Sequence, residues 1–154
     1  MAVYESEQEQ LEEIKKWWKE NGSSVLTGVA LGLAILFGWR GWETYTNRQA
    51  ESASAFYEQV LINLEQNKAD QARQVANSLL SEQSNSPYAS LAQLSLAAQD
   101  LKEGNLDSSQ ARLQWVMERN AFPQITHVAR LRKVKLFLSQ GKIDEAQKLI
   151  ASVA

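Results

Sequence analysis

The chain has 154 residues with 16 basic and 18 acidic side chains, a formal charge of −2, and no cysteine. The charge argues against a nucleic-acid binder, and the missing thiols exclude disulfides, a thiolate nucleophile and cysteine metal sites. The length leaves room for one small domain beside any membrane segment.

Residues 4–20 read as a helix, with Leu11, Ile14, Trp17 and Trp18 at helical spacing. Residues 1–21 are read as an amphipathic leader along the membrane surface, ending at a break at Asn21-Gly22. Gly22 to Trp39 is 18 residues without a charge, about the minimum for a spanning helix. Trp18 to Trp39 would cover roughly 32 Å along a helix, matching a bilayer core of about 30 Å. Trp17, Trp18, Trp39, Arg40 and Trp42 are placed for the two interfaces, where aromatic rings settle and long basic side chains snorkel. A transmembrane helix is therefore expected over residues 22–42.

A cleavable signal fits less well. It begins with a basic segment and ends at small residues. This chain begins with Glu5, Glu7, Glu9, Glu12 and Glu13, and its apolar run is followed by Phe37-Gly38-Trp39-Arg40. A soluble core helix, apolar on all faces, needs a larger protein around it. Lys15, Lys16 and Lys19 precede the run, while Arg40 and Arg48 follow it closely. By three to two this favours a cytoplasmic N-terminus. Ser24, Gly28 and Gly32 recur every four residues, a spacing that lets helix backbones approach. This suits self-association or contact with another membrane helix, but it is also ordinary membrane-helix composition.

Residues 43–154 contain two prolines, Pro87 and Pro123, and no alternating strand pattern. Three segments align at offsets of 37: Leu64 to Ala72, Leu101 to Ser109, and Leu138 to Ala146. Val60, Ala97 and Val134 precede them at the same register; Ala76, Leu113 and Ile150, then Leu79, Val116 and Val153, follow. Asn67, Gly104 and Gly141 suit the left-handed end of a helix. Asp70, Asp107 and Asp144 are expected as N-caps of the next helix. The small residues Ala72, Ser109 and Ala146 allow close helix packing. Each unit is thus helix, tight turn, helix, and such units stack into a solenoid. The expected fold is all-α: an anchor helix followed by helical hairpins, apparently three units with the last incomplete.

Ser139-Gln-Gly-Lys-Ile-Asp-Glu-Ala146 resembles the turn of a tetratricopeptide repeat, whose usual period is 34. The N-terminal half narrows the resemblance. Tyr4-Glu5, Glu9-Gln10, Ile14-Lys15, Trp17-Trp18, Glu20-Asn21-Gly22, Leu31-Gly32 and Gly38-Trp39-Arg40 resemble the ancillary SecYEG translocon subunit family of Gram-negative bacteria. The resemblance covers the whole chain, and the residues beside the membrane are its most specific part. It implies a single-pass protein of the inner membrane with a cytoplasmic N-terminus and a tetratricopeptide-like periplasmic domain. It also implies association with the SecYEG channel and with a membrane-anchored periplasmic chaperone of the prolyl-isomerase class, in handling exported proteins. Family members usually run longer, with further helices. The Leu149, Ile150 and Val153 face then lacks a capping element, which a shortened chain, a short homologue or pairing with another chain would each explain.

The one histidine, His127, has no partner in the sequence pattern for acid–base work. No phosphate loop, zinc signature or nucleophile elbow is present, so no enzyme, cofactor or metal is expected. Arg130, Arg132, Lys133 and Lys135 form a basic cluster, read as a solvated face or as a contact for an acidic partner or lipid headgroups. Carried over by repeat position, the concave face of the resembled fold includes Tyr57, Leu61, Leu94, Ala98, Leu131 and Lys135. It would hold an amphipathic helix or a nonpolar stretch of a partner, or these residues would instead bury a neighbouring helix of the same chain. A Leu94→Asp substitution is the expected probe of that choice. The alternative function is a membrane-tethered adaptor for an unrelated envelope complex, with no link to secretion.

Overall fold

A computed structural model describes residues 2–119 and 121–152, with side chains from residue 10 onward. The described residues form α1 (Ala2–Glu65), α2 (Ala69–Gln83), α3 (Pro87–Lys102), α4 (Leu106–Arg119), α5 (Pro123–Ser139) and α6 (Ile143–Ala151). They divide into two compact units, Met1–Asn47 and Arg48–Ala154.

The first unit is one helical stretch of α1. α1 is the one helix long and apolar enough to cross a membrane among the described residues, and little of its apolar window is buried within the protein. Leu26, Ile35, Phe37 and Trp39 all stand exposed. Two of its threonines turn back onto the helix. Thr27 Oγ1 donates to the Ser23 carbonyl at 2.8 Å, and Thr46 Oγ1 to the Trp42 carbonyl at 3.1 Å. Such back-bonding supplies a partner where water is absent. The expected break at Asn21-Gly22 does not occur; α1 runs through it. Asn21 Nδ2 donates to the Trp17 carbonyl at 3.1 Å, so its amide supports the helix instead of ending it. Gly22 is buried under the Trp18 ring, where an added Cβ would sit 3.3 Å from the indole.

The second unit stacks three hairpins: residues 48–65 with α2, α3 with α4, and α5 with α6. The period of 37 is visible in the turns. Asn67, Gly104 and Gly141 take φ of 56°, 80° and 71°. Beside them, the Lys68 N–H donates to the Asn63 carbonyl, Asn105 to Asp100, and Lys142 to Phe137, at 2.8–2.9 Å. This is a Schellman closure repeated three times, and it satisfies carbonyls that a helix end leaves open.

The aspartates act differently from the expectation. Helices α2, α4 and α6 begin at Ala69, Leu106 and Ile143, so Asp70, Asp107 and Asp144 are second helical residues and not N-caps. The preceding Lys68 and Lys142 make no side-chain cap. An acid in the first turn still favours the positive helix end, by about 0.3–1 kcal/mol. The true side-chain cap is Ser86, whose Oγ accepts from the Ala89 N–H at 3.1 Å, with Pro87 at the first helical position.

The core lies between helices and follows the repeat register. Val60, Ala72, Ala76, Leu79, Ala92 and Leu96 form one cluster; Leu94, Ala97, Leu113, Val116, Ala129 and Leu136 form the next. A third joins Val134, Phe137 and Ala146. Full burial of a leucine such as Leu79 contributes about 1.5–3 kcal/mol. Ser109, the odd member of the small-residue positions, is buried and donates from Oγ to the Ala97 carbonyl at 2.8 Å. Ile150 is 57% exposed although its equivalents Ala76 and Leu113 are buried. No described helix covers α6 on that side. Val153 lies outside the described residues.

A buried carboxylate crosses this apolar stack. Asp100 is 1% exposed, and it accepts from Arg73 Nη2 at 2.7 Å and Arg112 Nε at 2.6 Å. Arg112 Nη1 also donates to Gln93 Oε1 at 3.0 Å, and Arg73 reaches Glu103. Asp100 and Glu103 push the Arg73 guanidinium above its ordinary pKa. Gln99 and then Arg73 hold the Glu103 carboxyl below the ordinary range. Removing one partner of a buried ion pair costs about 3–5 kcal/mol. Both arginines retain some access to water, so the Asp100→Ala loss is expected near the lower end, about 3 kcal/mol. Urea unfolding of the full chain in detergent micelles, followed by near-ultraviolet circular dichroism, measures it.

Candidate interaction surfaces

The first unit presents the membrane residues. Trp17, Trp18, Trp39 and Trp42 are exposed at 53%, 51%, 72% and 68%, and Arg40 is exposed between the last two. Ser24, Gly28 and Gly32 are exposed too, and an added Cβ at Gly28 or Gly32 would meet nothing within 4 Å. The small-residue face is therefore open along the helix, at the spacing where a second helix backbone could come close.

The second unit has an inner layer made of residues 48–65, α3 and α5, the first helices of the three hairpins. Tyr57 and Tyr88 link the first two of these, with ring centroids 6.1 Å apart. The inner face carries two neighbouring depressions. One, of about 260 Å³, is lined by Tyr57, Leu91, Leu94, Ile125, Val128 and Arg132 among others. The other, of about 350 Å³, is lined by Ala97, Ala98, Leu101, Leu113, Leu136 and by Arg132 and Lys135.

The six residues expected for a groove do not share one surface. Tyr57 and Leu94 belong to the first depression, Ala98 and Lys135 to the second. Leu61 is half-buried and lines neither. Leu94 is only 5% exposed and packs with Ala129 and Leu136 of the next hairpin, so it forms the floor. Leu131 holds the equivalent position one repeat later and is 69% exposed. Leu94 is covered by the following hairpin, whereas no hairpin after α6 is present among the described residues to cover Leu131. Val128, Leu101 and Arg132 were missed by repeat matching. On α5 the depressions are lined by Val128, Arg132, Lys135 and Ser139 at helical spacing, with Arg132 one residue beyond Leu131.

The basic cluster separates into different roles. Arg132 Nη1 donates to the Leu94 carbonyl at 3.0 Å, and Lys135 stands exposed at the second depression. Arg130 Nη1 approaches His127 Nδ1 at 3.4 Å on the outside. Lys133 is buried, donates to Gln114 Oε1, and has its ammonium 5.5 Å from the Phe137 ring centroid. Burial lowers the Lys133 pKa below the ordinary lysine value of 10.5. Among the described residues no group of three His, Asp or Glu side chains is arranged to hold a metal ion.

Two expectations follow from this placement. Leu94→Asp buries an unpaired charge and is expected to cost more than about 4 kcal/mol, which makes it a folding mutant and no test of the groove. Val128→Asp and Leu131→Asp, at exposed positions, are expected to stay within about 0.5 kcal/mol of the parent in the same urea assay. Lys133 gives the second. Its folded pKa lies below its unfolded value, so the unfolded chain binds more protons within that window and stability rises with pH there. The stability of the parent relative to Lys133→Met is expected to rise with pH as the ordinary lysine pKa is approached from below. Urea titrations of both proteins across that range measure it, and a constant difference would contradict the burial of a strained ammonium.

Comparison with known proteins agrees with this architecture. A family model described as a tetratricopeptide repeat-like domain matches residues 15–154. A curated relative from Escherichia coli K12, named ancillary SecYEG translocon subunit, is 30% identical over 99% of this chain and 73% of its own length. Relatives of the same name occur in Haemophilus influenzae, at 28% identity over 99% of this chain and 74% of the relative, and in Neisseria gonorrhoeae, at 30% over 95% and 70%. No solved structure matches the chain. With the aligned region running through both the apolar helix and the hairpin stack, the chain belongs to the ancillary SecYEG translocon subunit family, whose domain is tetratricopeptide repeat-like.

Proposed function

We propose that this chain is a non-enzymatic interaction module, anchored in the bacterial inner membrane and associated with the SecYEG translocon. Its N-terminus lies in the cytoplasm and residues 43–154 lie in the periplasm. There it assists the handling of exported proteins, together with a membrane-anchored chaperone of the prolyl-isomerase class. The observation that carries this reading is the joint match of the anchor and the repeat domain to relatives named for that translocon. The exposed apolar helix supports the anchor, and the lysines before it support the orientation. Ser24, Gly28 and Gly32 offer a contact face to another membrane helix. The two depressions of the inner layer receive an amphipathic or nonpolar segment of a partner.

A compartment-sensitive reporter fused after Ala154 tests the topology. Activity in the periplasm is expected; activity confined to the cytoplasm would remove the role in export. Affinity purification from solubilised membranes then tests the assembly. The translocon is expected to co-purify with the parent, and a chain carrying bulky Ile at Gly28 and Gly32 is expected to lose most of it while remaining in the membrane fraction.

A further inference from the structure

The two inner-layer depressions meet at one side chain, Arg132, which lines both. Lys135 stands one turn further along α5 at the second depression. No aspartate or glutamate lines either depression. Neither cation belongs to an ion pair among the described residues, where Arg73 and Arg112 are matched to Asp70, Asp100 and Glu103. Arg132 is held in place at the same time, by its bond to the Leu94 carbonyl. The groove is thus apolar in two places with unmatched positive charge between and beside them. Aligned apolar walls with a fixed cation in the middle suit a chain whose side chains alternate in character. An acyl chain would have to pass the guanidinium at a desolvation cost.

Resting on the groove reading above, we infer that the occupant is an amphipathic helical segment of a partner protein bearing an acidic residue. It sets an apolar side chain into each depression and a carboxylate on Arg132 and Lys135. Apolar anchors at i, i+4 and i+7 provide the side-chain row that a groove between helices reads. The charge selects the partner and its register more than it adds affinity.

The test uses the full chain in nanodiscs of zwitterionic lipid. The probe is a fluorescein-labelled, alanine-based helical peptide with leucines at i, i+4 and i+7 and a glutamate between them. Its twin carries glutamine instead. The glutamate peptide is expected to bind roughly tenfold more tightly at low salt, with the difference shrinking as salt rises. Lys135→Gln alone is expected to reduce the difference, and Arg132→Gln with Lys135→Gln to abolish it while circular dichroism stays unchanged. Equal binding of both peptides to the parent, or a difference that survives the double substitution, would overturn the charge inference and leave the groove itself standing. Loss of association with anionic nanodiscs in the double variant, with peptide binding unchanged, would also overturn it and assign the cations to lipid headgroups. If neither peptide binds the parent, the groove reading falls and this inference with it.

Discussion

The repeat domain depends on a carboxylate that reaches across three helices. Asp100 lies on α3 with 1% exposure, and its two oxygens receive Arg73 from α2 and Arg112 from α4. A helical hairpin cannot bury its apolar face by itself, so each one requires a neighbour in a defined register. Alanine-rich surfaces such as Ala72, Ala76, Ala89 and Ala92 pack closely but offer few features that would distinguish one register from another. An ion pair with fixed geometry does distinguish them, because a slipped register would leave a buried charge unmatched. The network places the first two hairpins, and α5 then docks on the surface formed by Leu94, Ala97 and Leu113.

The inner face follows from that arrangement. With α3 held between residues 48–65 and α5, the shallow ground between first helices becomes two depressions instead of a filled core. The same stack explains why cationic groups differ in role along one helix. Lys133 points into the α4 contact and is partly desolvated, whereas Arg132 and Lys135 remain at the open surface. The anchor supplies the other half of the proposed function. Among the described residues little of the apolar window is buried, and a helix satisfies its backbone bonds internally, as a lipid environment requires.

Much of this was legible in the sequence, for local reasons. The left-handed turns at Asn67, Gly104 and Gly141 follow from residue type alone, and the period of 37 located the buried Val60, Ala97 and Val134. The uncharged run and its tryptophan flanks identified the candidate span. What escaped the sequence was long-range or set by helix phase. Nothing in the repeat pattern marks Asp100, because its partners lie 27 residues upstream and 12 downstream. The aspartates of the turns sit one step further into their helices than a capping role needs, since Lys68, Asn105 and Lys142 occupy the residue before each helix. Asn21-Gly22 reads as a break until the Trp18 ring fills the space a side chain would take. Among the groove residues, repeat matching placed Leu131 with Leu94, and of the two only Leu94 has a following hairpin packed on it among the described residues.

The central claim is that one chain joins a membrane contact to a partner-binding inner face. Photo-crosslinking in living cells, with a benzophenone side chain placed at Gly28 and separately at Val128, tests both halves in one measurement. The account predicts that Gly28 crosslinks to a membrane subunit of the translocon and that Val128 crosslinks to a different, periplasmic protein. Crosslinks from both positions to cytoplasmic proteins, or only to envelope components unrelated to secretion, would contradict it.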